Sequence, residues 1–268
     1  DNMAFRSDRD ALLFDVPINF LPAITRQHTY NLAATLYPYA TVLNGETGVS
    51  GELFYTFKKG SPLGGKYSTY ISLNVAAVNS LDTTHVGGRE ELINGYQTNS
   101  VFFGKTKFVR DINFEVRKKI NKAWSLTYVH YYFEFNTLVT PVTQDFKGLV
   151  YAHVDVADIQ YKIAPKHAVR VELQSLLTKQ DKGNWATALA EYTFSPHWTV
   201  SILDQYNYGN EDQSKRVHYL FGNIGYTKGA TRLMVGYGKR RAGIFCIGGV
   251  CRSVPASNGV EINLTTTF

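Results

Sequence analysis

Apolar and polar residues alternate along many segments of the chain, as in strands whose two faces meet different surroundings. The clearest case runs to the last residue. One face of that segment carries Val260, Ile262, Leu264, Thr266 and Phe268, and the other carries Glu261, Asn263, Thr265 and Thr267. The same alternation predicts strands at 10–19, 47–58, 66–79, 107–119, 123–137, 147–164, 166–178, 184–195, 197–208, 215–227, 230–240 and 257–268.

The connections between these segments alternate between short turns and longer loops. The short turns are rich in Gly, Pro and Asn and lie at 59–65, 121–122, 164–166, 195–197 and 227–230. The longer connections fall at about 20–46, 80–106, 138–146, 179–183, 209–214 and 241–256. Because membrane barrels combine short periplasmic turns with long external loops, the sequence predicts an all-β, antiparallel transmembrane β-barrel. About 12 strands are visible, or roughly 12–14 in all, with the carboxyl terminus in the periplasm.

Composition supports this prediction and removes one alternative. The chain is 44% hydrophobic, but its longest apolar runs are far shorter than the ~20 residues that a membrane helix needs. Its 18 Tyr and 16 Phe suit strands and the aromatic girdles at membrane interfaces. The net charge of +6 is dispersed along strands and turns, so no nucleic acid is expected as a partner. Lipopolysaccharide phosphates, peptidoglycan or an acidic protein would suit this charge equally well.

Two predicted strands change phase halfway along. Near residue 128 the apolar face passes from Trp124 to Val129 and Tyr131, and a similar change occurs near residue 157. One extra residue at each place, a β-bulge, would restore the face. Alternatively, the strands leave the membrane there and the pattern relaxes.

The polar faces of the predicted strands provide candidates for the lining of the lumen. These are Glu52, Asn74, Asn113, Glu115, Arg117, His153, Asp155, Asp158, Arg170, Glu172, Glu191 and Arg232. Opposite charges on neighbouring strands more often form a network that fills and stiffens a narrow barrel. A selectivity lining is the alternative. A proline-containing segment at 17–40 can fold inward and, with bulky inward residues, argues against a wide channel.

Lysines gather at the predicted short turns, where acidic residues are scarce. This basic periplasmic rim consists of Lys58, Lys59, Lys118, Lys119, Lys122, Lys166 and Lys228. Such a rim could draw anions towards a pore or dock an acidic partner. Equally, the lysines could be solvated strand ends without a specific ligand.

No catalytic, cofactor or metal site is predicted. The seven histidines lack zinc-binding spacing. The stretch Gly104-Lys105-Thr106 resembles the end of a phosphate-binding loop, but position 99 is Asn where that loop needs glycine. Cys246 and Cys251 are spaced to close a small loop disulfide in an oxidising compartment.

Both ends of the chain bear on export. No signal peptide is visible at the start, so the chain is either mature or lacks its beginning. The final strand resembles the last strand of bacterial outer-membrane barrels, which implies that the barrel-assembly machinery reads Phe268 as a signal. The usual terminal signal also has a glycine and a second bulky apolar residue, where this chain has Asn263 and Thr266.

Three stretches carry a more specific resemblance. They are QHTYNLAATLYPY at 27–39, FKKGSPLGGKY at 57–67 and GVCRSVPASNG at 249–259. They resemble the carboxyl-terminal part of a family of outer-membrane barrels of unknown function from Bacteroidota. The resemblance runs the length of the chain and implies one barrel domain over 1–268. It offers no catalytic or binding residues to transfer. Because the family's members are longer, it also implies one of two things: an amino-terminal portion with further strands is missing here, or the assigned start is not the biological one.

Two function classes follow from these observations. The first is a structural or interaction component of an envelope assembly, with a largely filled lumen. Its partners would be outer-membrane lipid, lipopolysaccharide and other envelope proteins. The alternative is a passive or gated pore for small polar or anionic solutes. Enzyme activity is not expected.

Overall fold

The computed structural model describes residues 24–37, 39, 41, 45–85, 96–139, 148–247 and 250–267. These residues contain one α-helix, α1 (Asn31–Leu36), a 3₁₀ turn at Gln213–Lys215, and strands. The strands are β1 (Glu46–Phe57), β2 (Thr69–His85), β3 (Tyr96–Lys119), β4 (Trp124–Asn136), β5 (Leu149–Ala164), β6 (His167–Leu177), β7 (Trp185–Phe194), β8 (Trp198–Tyr206), β9 (His218–Lys228), β10 (Thr231–Arg240), β11 (Gly243–Ile247), β12 (Val250–Val254) and β13 (Ser257–Thr266).

Eleven of these strands form one antiparallel sheet. Strands β1 to β10 pair in chain order, and β13 pairs with β10. Strands β11 and β12 form a separate hairpin. The predicted all-β antiparallel fold is therefore confirmed. Short turns gather at one end of the sheet, called here the short-turn end, and longer connections lie at the other end, called the long-loop end.

The sheet is not closed into a barrel within the described residues. Among the described residues, strands β1 and β13 are its two edges, and each has one hydrogen-bonded neighbour, β2 and β10 respectively. The strand predicted at 10–19, which would lie between these edges in a closed barrel, falls outside the described residues, as does Phe268. In the part of the chain that is described, no helix is both long and apolar enough to cross a membrane.

Two predicted loops contain regular structure instead. The connection predicted at 80–106 narrows to 86–95, because β2 and β3 continue their pairing past Leu81 through several register shifts. The run Asp82-Thr83-Thr84 is polar, so the pattern of apolar residues does not indicate this extension. The loop predicted at 241–256 holds the hairpin of β11 and β12. These strands are short and lie off the main sheet, so they lack its alternation.

The bulges predicted near residues 128 and 157 are absent. Strands β4 and β5 pair without a register shift, from Trp124 opposite Tyr161 to Asn136 opposite Leu149. What changes along these strands is the surroundings of each face. On the face that carries α1, called here the inner face, Phe133 and Phe135 are buried with Leu32 of the helix. Apolar side chains therefore point inward where the helix covers the sheet.

Towards the short-turn end the polarity of the two faces is reversed. The inner face becomes polar, and the opposite, outer face is apolar and exposed. Ile202 and Ile224, on strands β8 and β9, are 54% and 52% exposed, although both strands are paired on both sides. Exposed outer residues of this kind form an apolar belt, which includes Leu73 on β2, Ile112 on β3, Leu173 on β6, Ile202 on β8, Ile224 on β9 and Val235 on β10.

Candidate functional site

Residues 24–37, called here the plug segment, cross the polar inner face. The Arg26 guanidinium lies 3.5 Å from a Glu52 oxygen on β1 and 3.4 Å from a Glu115 oxygen on β3. The His28 ring nitrogen Nε2 lies 2.6 Å from Asp111 Oδ2, and both side chains are buried. Arg26 and His28 of the plug segment therefore meet carboxylates on two strands, β1 and β3.

The helix of the plug segment is held by polar contacts at its start and apolar contacts along its side. The first backbone N–H groups of a helix lack partners within it, and here the Leu32 N–H donates to Gln174 Oε1 on β6 at 2.8 Å. Asn31 exchanges two hydrogen bonds of 2.9 Å with the backbone of Cys246 on β11. Leu32 and Leu36, four residues apart, share the buried side of the helix.

A buried charge cluster lies beside the plug segment. Arg170 donates from Nε to Asp158 at 3.0 Å and from Nη1 to Glu191 at 2.6 Å, and it also bonds Glu172. Three neighbouring strands, β5, β6 and β7, thus supply three carboxylates around one guanidinium. Pairing of this kind is what allows charges to be buried. Tyr30 of the plug segment extends the network, since its hydroxyl donates to Asp158 at 3.4 Å.

A cavity of about 670 Å³ opens next to this cluster. It is lined by the Arg170 cluster, by Thr29 and Tyr30 of the plug segment, and by Cys246 and Ile247 of the hairpin. Burial and the neighbouring Asp158 raise the pKa of Tyr30, so its phenol stays a protonated donor. The arrangement can hold water or a polar group, but the plug segment forms part of its wall.

Most predicted lumen residues lie on the inner face. These are Glu52, Asn74, Asn113, Glu115, Arg117, Asp158, Arg170, Glu172, Glu191 and Arg232, as the alternation of their strands and their contacts show. Asn113 donates to Asn74 at 3.3 Å, and Arg117 pairs with Glu115.

The prediction for His153 and Asp155 is wrong. Asp155 lies on the outer face, 39% exposed, where it accepts from Tyr128 Oη at 2.6 Å and contacts His130 Nδ1 at 2.9 Å. His153 lies on the same side, next to the ring of Tyr132. In a continuous strand, residues 153 and 155 cannot share a face with Asp158. Grouping them had required the bulge near residue 157 that the structure lacks.

The sequence prediction missed several residues of the site. Arg26, His28 and Tyr30 had no strand pattern to place them, and the plug segment was predicted only as able to fold inward. Asp111 could have been found, because it continues the alternation of its strand by one step.

The basic rim lies at the short-turn end. Its lysines are Lys58, Lys59, Lys118, Lys119, Lys122, Lys166 and Lys228, and all of them are exposed. They sit next to aromatic pairs on the outer face, such as Trp124 stacked on Tyr161 at 4.3 Å and Trp198 beside Tyr226 at 4.7 Å.

The two cysteines occupy opposite positions in the hairpin, since Cys246 is the register partner of Cys251. We expect them to be bridged, with a stabilisation on the order of 2 kcal/mol or less because the enclosed loop is short. Alkylation of the unfolded, non-reduced protein followed by mass measurement should find no free thiol. Two alkylated cysteines would contradict the prediction.

The comparisons with known proteins add a family but no activity. No curated protein and no solved structure matches the chain. A family model described as a family of unknown function, DUF6029, matches residues 1–268. The protein therefore belongs to the DUF6029 family.

Proposed function

We propose that this protein is an integral outer-membrane β-barrel with a filled lumen, serving as a structural or interaction component of an envelope assembly. The observation that carries the proposal is the plug segment. Its contacts run from Glu52 on β1 to Gln174 on β6, and its helix joins the main buried cluster. A passage through the inner face would have to displace it.

The outer face supports a membrane location. On β9 the belt runs from Tyr226 to Leu220, which is ~20 Å of strand at ~3.3 Å per residue, close to the ~25 Å apolar band of membrane barrels. Aromatic side chains border it at the short-turn end. Towards the long-loop end it meets charged and polar residues, including Asp155 and the His218–Asp204 pair. An exposed apolar surface of this extent requires a partner or a lipid phase.

Closure into a barrel would also give hydrogen-bond partners to the edges of β1 and β13 that lack a neighbour within the described ranges, and any sheet within lipid needs such partners. The protein, folded into detergent or vesicles, should therefore migrate differently on gels before and after boiling, as compact barrels do. In planar bilayers it should show conductance near background. Identical migration would contradict the barrel, and large stable conductance would contradict the filled lumen.

The orientation can be tested by single cysteines in a background without Cys246 and Cys251. We expect the short turns to be periplasmic, so a cysteine at Asn121 in intact cells should resist a membrane-impermeant reagent. A cysteine at Glu211, in an exposed long-loop connection, should react. Labelling at both positions, or the reverse pattern, would overturn the proposed topology.

The second candidate function is a gated pore for small polar or anionic solutes. The cavity beside Arg170 favours it, because it leaves space within the polar inner face. In this case the plug segment would move rather than stay bound. Charge reversal at Arg170 or Arg232 should then shift the ion selectivity of a measurable conductance.

A further inference from the structure

Exposed lysines are concentrated on one half of the short-turn end. Eight lysines lie beside the three short turns that connect β1 to β2, β3 to β4 and β5 to β6, and we call them the lysine patch. They are Lys58, Lys59, Lys66, Lys118, Lys119, Lys122, Lys162 and Lys166. The turns at 195–197 and 229–230, on the other half, contain no lysine, and only Lys228 and Arg232 stand near them. None of these short turns contains Asp or Glu. The positive charge is therefore uneven around the rim.

The first turn of the patch has a defined conformation. Ser61 Oγ donates to the Lys58 carbonyl at 2.7 Å and accepts from the Gly64 N–H at 3.0 Å. A Cβ atom on Gly64 would lie 1.9 Å from the Lys58 carbonyl oxygen, so the backbone is closely packed. Lysines 58 and 59 thus project from a fixed turn, and little order would be lost on binding a ligand.

Two lysines of the patch share one aromatic ring. The amino groups of Lys66 and Lys119 lie 5.8 and 5.4 Å from the centroid of the Tyr67 ring. Like charges that gather beside one ring repel each other. An anion bound between them would relieve that repulsion.

Exposed aliphatic side chains lie among the lysines. Leu63, Ile120 and Ile163 are 61%, 56% and 53% exposed. Lysine is depleted in protein–protein interfaces, whereas at a membrane surface its apolar stem can lie along lipid while its amino group reaches the headgroups. Clusters of basic residues beside a membrane-spanning segment also recruit anionic lipid. The combination favours a lipid surface over an acidic protein.

We infer that the lysine patch binds the headgroups of anionic phospholipids in the leaflet at the short-turn end. In this arrangement Leu63, Ile120 and Ile163 enter the boundary of the acyl chains. The uneven charge then gathers anionic lipid on the β1–β6 side of the protein. The inference rests on the proposed membrane location.

The test uses the full chain inserted into phosphatidylcholine vesicles that contain spin-labelled lipid. The label is carried either by phosphatidylglycerol or by phosphatidylcholine, and the fraction of label that the protein immobilises is compared between the two lipids. The wild-type protein should prefer phosphatidylglycerol by about fivefold, the scale of one lysine at an anionic surface, and 0.5 M salt should weaken the preference because exposed charges are screened (Debye length of ~3–10 Å at 0.1–1 M). The variant Lys118→Gln/Lys119→Gln/Lys122→Gln should lose most of this preference.

A matched control removes the same charge elsewhere. Lys105→Gln/Lys179→Gln/Lys215→Gln changes three exposed lysines away from the short-turn end and should keep the preference. Equal loss in both variants, or no preference in the wild-type protein, would overturn the inference. A third outcome would also overturn it: binding of polyglutamate that depends on the patch, together with no binding of phosphatidylglycerol. That result would indicate an acidic protein partner.

Insertion of the protein into vesicles tests the proposed membrane location separately from the lipid inference. Each protein is first checked for resistance to protease and for the change in gel migration on boiling, both in neutral vesicles. Failure of the wild-type protein to insert would overturn the membrane location and the lipid inference together. Insertion without lipid selectivity would overturn the lipid inference alone.

Discussion

The Arg170→Glu variant should lose about 3–5 kcal/mol of stability, or fail to fold, because breaking a buried ion pair leaves uncompensated charge. Arg170 contacts Asp158, Glu172 and Glu191, and the side chains of these three acids are less than a tenth exposed. The substitution would place a fourth carboxylate among them. Urea unfolding in vesicles, followed by tryptophan fluorescence, measures the loss.

Two variants sharpen this experiment. Lys166→Glu makes the same change of charge in an exposed turn nearby and should alter stability by about 0.5 kcal/mol or less. The exchange Arg170→Glu/Glu172→Arg restores one cation to the cluster and should recover part of the lost stability. If Arg170→Glu proves as stable as Lys166→Glu, the cluster does not hold β5, β6 and β7 together.

Replacing residues 26–36 by a Gly/Ser segment of equal length should open a conducting path. The replacement removes the ion pairs of Arg26, the His28–Asp111 contact and the apolar side of α1. Barrels of 8 strands are filled by their own side chains, whereas barrels of 16 strands leave a channel. The sheet described here has 11 strands, so removal of the plug segment should leave space, and conductance should rise on the order of tenfold or more above the wild-type background. Planar bilayer recordings of the purified proteins measure this difference.

The control for the plug replacement substitutes the exposed residues 211–216 by a Gly/Ser segment, and its conductance should stay at background. A milder variant, Arg26→Glu, keeps α1 but sets a third carboxylate beside Glu52 and Glu115, and it should give short openings. If the replaced protein inserts normally and still does not conduct, other parts of the chain seal the inner face. The plug segment would then not be what fills the lumen.

Local alternation was enough to predict the strands. Side chains of a strand point alternately to two faces, so Leu53 and Tyr55 on one side and Glu52 on the other reveal β1 without knowledge of its partners. Gly, Pro and Asn mark the turns for equally local reasons. The antiparallel order follows from short connections, and the described registers agree with it.

The placement of the polar site depended on contacts between distant residues. Residue 28 meets residue 111, and residue 32 meets residue 174, and nothing local in the sequence encodes these pairings. A short helix lying on a sheet also changes what each face of that sheet should contain. For this reason the apolar side of β4 and β5 turns inward near α1, although the register between these two strands does not shift.

The sequence by itself determined an all-β antiparallel chain, most of its strand limits and the polar face that carries Arg170 and Glu172. Only the tertiary structure decided that His153 and Asp155 lie outside, that β11 and β12 form a hairpin, and that the plug segment crosses the inner face. The physical reason is that alternation records the difference between two faces. Which face is covered, and by what, is set by the segments that pack against it.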